Sequence, residues 1–264
     1  MSPAAIHSIA NVFGSTKDIG EILKSFDFNQ MNVKDSSRDD HLNIGLAPSF
    51  GTLDRESIKN VDEKLKVMIV GTTKLIAKMP PHKRSWDNIV SVLMQNPLIE
   101  PLDDGISRAD KLIKEGVHFF KFDGAPELAV VREVHNWFVA LIADEDVLNS
   151  TKIDIDVMGS IVAQTGATVV SLETLIYKQE SHSKTLVDIG VLRYPDPDHP
   201  YFKVYRIKLT AWSQSTRVAF IQGDENGITG EYNVRRFRPR ASVIAEMREK
   251  VTKKAAKEAE SLFD

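Results

Sequence analysis

The chain has 264 residues, of which 42% are hydrophobic and 27% charged, with a formal net charge of −3 and no cysteine. This composition fits one large globular domain or two small ones and excludes a collagen-like or fully disordered chain. The missing cysteines exclude disulfides, thiolate nucleophiles and zinc–thiolate centres, and a reducing, cytoplasmic setting is the simplest expectation.

At the N-terminus, "MSPAAIHSIANVFG" lacks the basic start and continuous apolar core of a secretory signal. No apolar run is long enough to predict a membrane-spanning helix. Ser15 to Phe26 opens on Ser-x-x-Asp, a variant of the capping box, and predicts a helix. Residues 27–50 show no sustained period and predict an exposed loop, a candidate contact for a protein partner. From Asp54, the stripe Ile58, Val61, Leu65, Met68, Ile69, Thr72, Leu75, Ile76 and Met79 recurs at helical spacing and predicts a long helix, stopped by "MPPHKR". Ser85 caps a second helix that ends near Pro97.

"SRADKLIKEG" predicts a short helix closed by Gly116, and "VHFFKF" (117–122) predicts a strand followed by the turn "DGAP". The helix after Pro126 is expected to bury Leu128, Val131, Val134, Phe138, Leu141 and Ile142. Residues 150–166 favour helix, and 167–177 stand between helix and strand. Beyond about residue 184, β-branched and aromatic stretches flank the proline-rich connector "PDPDHPY". Farther on, "GDENG" (223–227) reads as the turn of a hairpin. The expected fold is α+β: a largely helical N-terminal two-thirds, a small antiparallel meander at about 185–238, and an amphipathic C-terminal helix. The corresponding divisions are 1–180, 181–240 and 241–264, within one domain or several.

Motifs for chemistry are sparse. Gly71 stands alone where a phosphate-binding loop needs G-x-x-x-x-G-K-[ST]. His118, Asp123 and His135 form an acid–base set if the strand at 117–122 packs on the following helix, as in a cytosolic hydrolase. Asp196, Asp198 and His199 combine carboxylates and an imidazole that suit a metal, although Asp and Pro also make ordinary turns.

The strongest signal is basic. From Glu231 to the C-terminus there are nine Lys/Arg against six Asp/Glu, net +3, which leaves net −6 for the rest of the chain. Arg235, Arg236, Arg238 and Arg240 surround Phe237, and Lys253, Lys254 and Lys257 follow. Arginine forks match phosphate oxygens, and Phe237 is placed to stack on a base. The sequence expectation is a non-enzymatic, self-associating structural protein, without cofactor. It would bind RNA or an anionic membrane through this region, in the manner of a viral matrix or nucleocapsid protein. The alternatives are the hydrolase and a protein-interaction module built on the 27–50 loop. The bland reading of the arginines is a charged rim on an edge strand.

Overall fold

A computed structural model describes residues 32–33, 37–119, 127–164, 166, 177–218 and 221–240. The elements in chain order are β1 (Asn32–Val33), β2 (Ser37–Leu46), α1 (Glu56–Lys78), α2 (Trp86–Met94), β3 (Ile99–Pro101) and β4 (Ile106–Phe119), followed by α3 (Leu128–Ile142), α4 (Glu145–Ser150), α5 (Ile155–Val162), β5 (Tyr177–Tyr194), β6 (Tyr201–Val218) and β7 (Ile221–Pro239). The strands form one seven-stranded mixed sheet. β5, β6 and β7 are antiparallel neighbours at its centre, β1 and β2 add parallel to β5, and β3 and β4 add antiparallel to β7.

The three central strands have 18, 18 and 19 residues. That is about three times the usual strand length and, at ~3.3 Å per residue, a span of roughly 60 Å. Two ends of the sheet can therefore be distinguished. The upper end carries Tyr194, Tyr201 and Phe237; the lower end carries Tyr177, Val218 and Ile221.

Side chains alternate along each strand, so the sheet has two faces. Leu186, Leu192, Tyr205, Ile207, Ile228 and Tyr232 pack under α3, α4 and α5, which contribute Val134, Phe138, Leu141, Val147 and Met158. Val187, Ile189, Val191, Phe202, Val204 and Phe237 pack on the opposite face under α1 and α2, against Leu65, Met68, Ile69, Ile76, Ile89 and Leu93. Helices thus cover both faces of the upper end. The stacked pairs Phe202–Phe237, with centroids 5.7 Å apart, and Tyr194–Tyr201, at 4.3 Å, close the aromatic top. Gly190 is required here, because a β-carbon would collide with the ring of Tyr205. A buried ion pair, Arg193 Nε to Asp62 Oδ1 at 2.7 Å, ties α1 to β5.

The expectation of a helical N-terminal two-thirds with a small late meander is overturned: the molecule is built around a sheet to which residues as early as Asn32 already contribute. Residues 107–116 belong to β4 and pair along β7. Cross-strand partners outweighed the helical propensity of "ADKLIKE". As a strand, the same residues put Arg108, Asp110 and Lys114 toward α3. Arg108 Nη1 donates to the carbonyls of Leu141 and Ile142 at the end of α3, and Trp137 Nε1 donates to Asp110. Lys114 pairs with Glu133 at 2.5 Å. Within the expected loop 27–50, residues 37–46 form β2, with Leu42 and Ile44 under α1.

The segment "GDENG" is no turn but lies inside β7, and the hairpin reverses between Val218 and Ile221. Expectations that held include α1, α2 with Ser85 accepting from Asn88 N, α3, α5 and the 195–200 connector, although Leu75 on α1 and Leu128 at the start of α3 are exposed rather than buried. The helices expected at 15–26 and 241–262 and the stretch 167–176 lie outside the described residues.

Candidate functional site

The four arginines lie at the upper end of β7, beside β3 and the loop after it. Arg236 Nε donates to Asp103 Oδ2 at 2.5 Å, and Arg238 Nε donates to Glu100 Oε1 at 2.7 Å. Arg240 Nε lies 3.8 Å from the other oxygen of Glu100. Arg235 Nε donates to the Asp103 carbonyl at 2.8 Å, and its guanidinium sits 5.9 Å from the Phe237 centroid. Phe237 itself is fully buried against Phe202. Burial would raise the Asp103 carboxyl, but side-chain and backbone hydrogen bonds from Arg236, its charge and the Gly105 amide hold it below the usual carboxylate range. The cluster fastens the short edge strand β3 to β7, and its exposed ion pairs contribute about 0–1 kcal/mol each. The picture of an RNA-binding matrix or nucleocapsid-like protein is corrected accordingly. That label came with the expected helical fold, whereas the body is a sheet, and Arg236 and Arg238 pair with Asp103 and Glu100. Lys253, Lys254 and Lys257 lie outside the described residues.

The other candidate residues that are described are spread over β4, α3 and the connection between β5 and β6. His135 is exposed on α3, His118 stands opposite Gln222 in β4, and Asp123 lies outside the described residues. Asp196 accepts from the amides of Asp198 and His199 at 2.8 and 3.3 Å, closing a turn between β5 and β6. Among the described residues, no group of His, Cys, Asp or Glu is placed to hold a metal. A more strongly perturbed carboxylate, Asp188, sits under the α4–α5 connection. Burial pushes it above the usual range, partly offset by hydrogen bonds from Thr151 Oγ1 and Lys152 N, the proximity of His41 and a bond from Tyr205 Oη. It anchors that connection to β5 at 2.6 and 3.0 Å.

Sequence reasoning missed the lower end of the sheet. On the α3–α5 face the apolar rows stop at Ala211 and Ile228, and polar rows replace them. Register sets His182 across from Ser213 and Asn226, then Glu180 across from Ser215 and Asp224, then Lys178 across from Arg217 and Gln222. Glu180, Ser213, Ser215, Arg217, Gln222, Asp224 and Asn226 are all buried. Ser215 Oγ donates to Asp224 in a short bond, and Gln222 Nε2 donates to its other oxygen at 3.0 Å. Asn226 Nδ2 reaches the carbonyls of Val162 and Gln164 at the end of α5. Lys178 pairs with Glu180 at 3.5 Å. Burial depresses the Arg217 guanidinium, opposed by Glu180 and Asp224. Lys178 and Arg217 balance Glu180 and Asp224, so these rows carry no net charge.

Beyond them the β6–β7 hairpin closes. Val218 and Ile221 are register partners, and they are 43% and 63% exposed. The two residues between them in the sequence are Ala219 and Phe220, giving "VAFI" at a position where hairpins favour Gly, Asn or Asp. The turn-forming residues lie instead in the strand at 223–227. There Asp224 and Asn226 serve the buried rows, and Gly227 admits the ring of Trp212, whose Cζ2 would be 2.5 Å from a β-carbon. An uninterrupted apolar run at the end of the longest strands was the signal available in the sequence.

No protein-family model matches the chain, and no curated protein matches it. Among solved structures it is similar to that titled "Structure of the Evf virulence factor", at 10% identity, with 92% of this chain and 88% of the other covered and a TM-score of 0.23. So loose a likeness carries no argument about fold or function. Among the described residues, no helix is long and apolar enough to cross a membrane.

Proposed function

We propose that the protein is a non-enzymatic binding protein that docks on a lipid surface with the closed end of its β6–β7 hairpin. The observation that carries this reading is the exposure of Val218 and Ile221 at the ends of strands of 18 and 19 residues, together with the sequence between them, Ala219 and Phe220, at positions where turn chemistry favours polar or glycine residues. A sequence that breaks a local rule points to a functional constraint. The reading keeps the lipid-surface part of the sequence expectation and moves the contact away from the arginines.

Full burial of an aliphatic side chain is worth about 1.5–3 kcal/mol, so Val218 and Ile221 alone give weak, reversible attachment. Lipid anchors of that strength hold stably only when a second signal adds to them, and association of several copies on the surface supplies one. The polar rows behind the tip are charge-balanced, so attachment depends little on salt. The test is flotation of the full chain with phosphatidylcholine vesicles, with and without added phosphatidylserine. The protein is expected to float with both, and Val218→Ser/Ile221→Ser to lose about tenfold or more of the bound fraction at unchanged melting temperature. Absence of wild-type flotation, or flotation that the double variant retains, contradicts the proposal.

A further inference from the structure

β4 pairs with β7 along all 14 of its residues, and among the described residues nothing pairs with its other edge. A bare edge of that length is a template for strand addition, and charges usually keep other strands off it. β4 carries such charges, but in an order that matches its own reverse. On the face that α1 and α2 cover at the upper end, Lys111, Ile113 and Glu115 follow at every second position. All three are exposed, Ile113 at 41%.

The backbone of the same residues faces outward. Leu102 N donates to Arg236 O, so the even-numbered residues of β7 turn their amides and carbonyls toward β3 and β4. Their register partners in β4 are also even-numbered, which leaves the groups of Lys111, Ile113 and Glu115 pointing away from β7. Lys111 N accordingly finds its acceptor in the adjacent Asp110 Oδ1, at 2.8 Å. Register also sets Glu115 directly across from Glu225, which is exposed too. Like charges so opposed destabilise a strand pair. Neither Lys111 nor Glu115 has an ion-pair partner among the described residues.

We infer that β4 pairs antiparallel with β4 of a second copy, centred on Ile113, and joins the two sheets into one. Ile113 then meets Ile113 of the second copy, and by two-fold symmetry Lys111 meets Glu115 of the second copy on both sides of it. Glu115 gains the opposite charge that Glu225 denies it, and the outward amides and carbonyls complete an antiparallel ladder. Neighbouring registers fit less well. Centring on Lys111 or Lys114 sets lysine against lysine. Centring on Leu112 sets Asp110 against Lys114, but Asp110 is already bonded by Trp137 and Lys114 by Glu133. The pairing shares no residue with the lipid-docking hairpin and points the two hairpin tips in opposite directions, so it stands or falls separately from that reading.

The test is sedimentation equilibrium of the full chain without lipid, in which the wild type is expected to be dimeric at about 100 µM. Lys111→Glu opposes carboxylates at both ends of the pairing, and Glu115→Lys opposes lysines. Each variant alone should dimerise at least about tenfold more weakly, at unchanged melting temperature because both positions are exposed. Mixed in equal amounts, the two variants should form a heterodimer, since each supplies the charge that the other lacks. A wild type that is monomeric at about 100 µM overturns the inference. A dimer that survives either charge reversal, or a mixture that stays monomeric, does the same.

Discussion

The two ends of the sheet are made from the same three strands and follow different rules. At the upper end, apolar side chains point to both faces, helices cover both, and buried charged groups have dedicated partners, Arg193 an ion pair with Asp62 and Asp188 hydrogen bonds from Thr151 and Lys152. At the lower end the strands run on past the covering helices α1 and α2. Polar rows fill one face, the other face is left without a covering helix among the described residues, and Val218 and Ile221 stand exposed where the two strands end. Hydrophobic burial accounts for the first end and leaves the second unexplained as stability. Strands of 18 and 19 residues are longer than the upper core needs, and the extra length carries the buried polar rows and the exposed Val218 and Ile221 on which the proposed docking rests.

Breaking the upper end should cost the most. Phe237 is fully buried and stacked on Phe202. Phe237→Ala should therefore lower the unfolding free energy by about 3–5 kcal/mol, read from urea or thermal unfolding. A loss below about 1 kcal/mol would show that the aromatic top is not the mechanical centre of the fold and would remove the contrast with the hairpin.

A smaller effect is expected where a charge is buried. Asp188 has a folded-state pKa above its unfolded value because burial disfavours the carboxylate. The native state then holds the proton more tightly. This contribution is greatest at low pH and falls as pH rises from about 4 through the folded value. Asp188→Asn, which keeps an oxygen for Thr151 and Lys152, should remove that part of the pH dependence and leave the protein at least as stable at pH 7. Melting temperatures across pH 4–8 check this; an unchanged slope would mean that Asp188 is already ionised without penalty.

The arginine rim should matter least. Arg236→Ala removes a pair in which the arginine side chain is 49% exposed, and a loss of no more than about 1 kcal/mol is expected. Urea midpoints settle it, and a loss of several kcal/mol would place the rim with the buried upper core instead.

What the sequence revealed follows the same division. Helical periodicity found α1, α2 and α3, since an amphipathic stripe against a sheet reads the same whatever the sheet's topology. β-branched and aromatic runs found the upper halves of β5 and β6. β4 was hidden because an edge strand carries many charges, here Arg108, Asp110, Lys111, Lys114 and Glu115, and "ADKLIKE" also reads as helix. The lower halves were hidden because glycines, aspartate and asparagine in β7 have tertiary duties: Gly227 gives room to Trp212, Asp224 takes two hydrogen bonds, and Asn226 holds the end of α5. Those duties are invisible until the strands are in register. The arginine cluster was legible as composition, but Glu100 and Asp103 lie more than a hundred positions away, and only their pairing shows what the arginines do.

The most direct test of the division between the ends is to place one fluorescent reporter at each. Ile221 at the hairpin tip and Ile106 near the upper end are both exposed. With vesicles added, Ile221→Trp should gain a blue-shifted emission above that of the native tryptophans, while Ile106→Trp should not change. No shift at Ile221, or an equal shift at Ile106, would contradict the claim that the lower hairpin is the end that meets lipid.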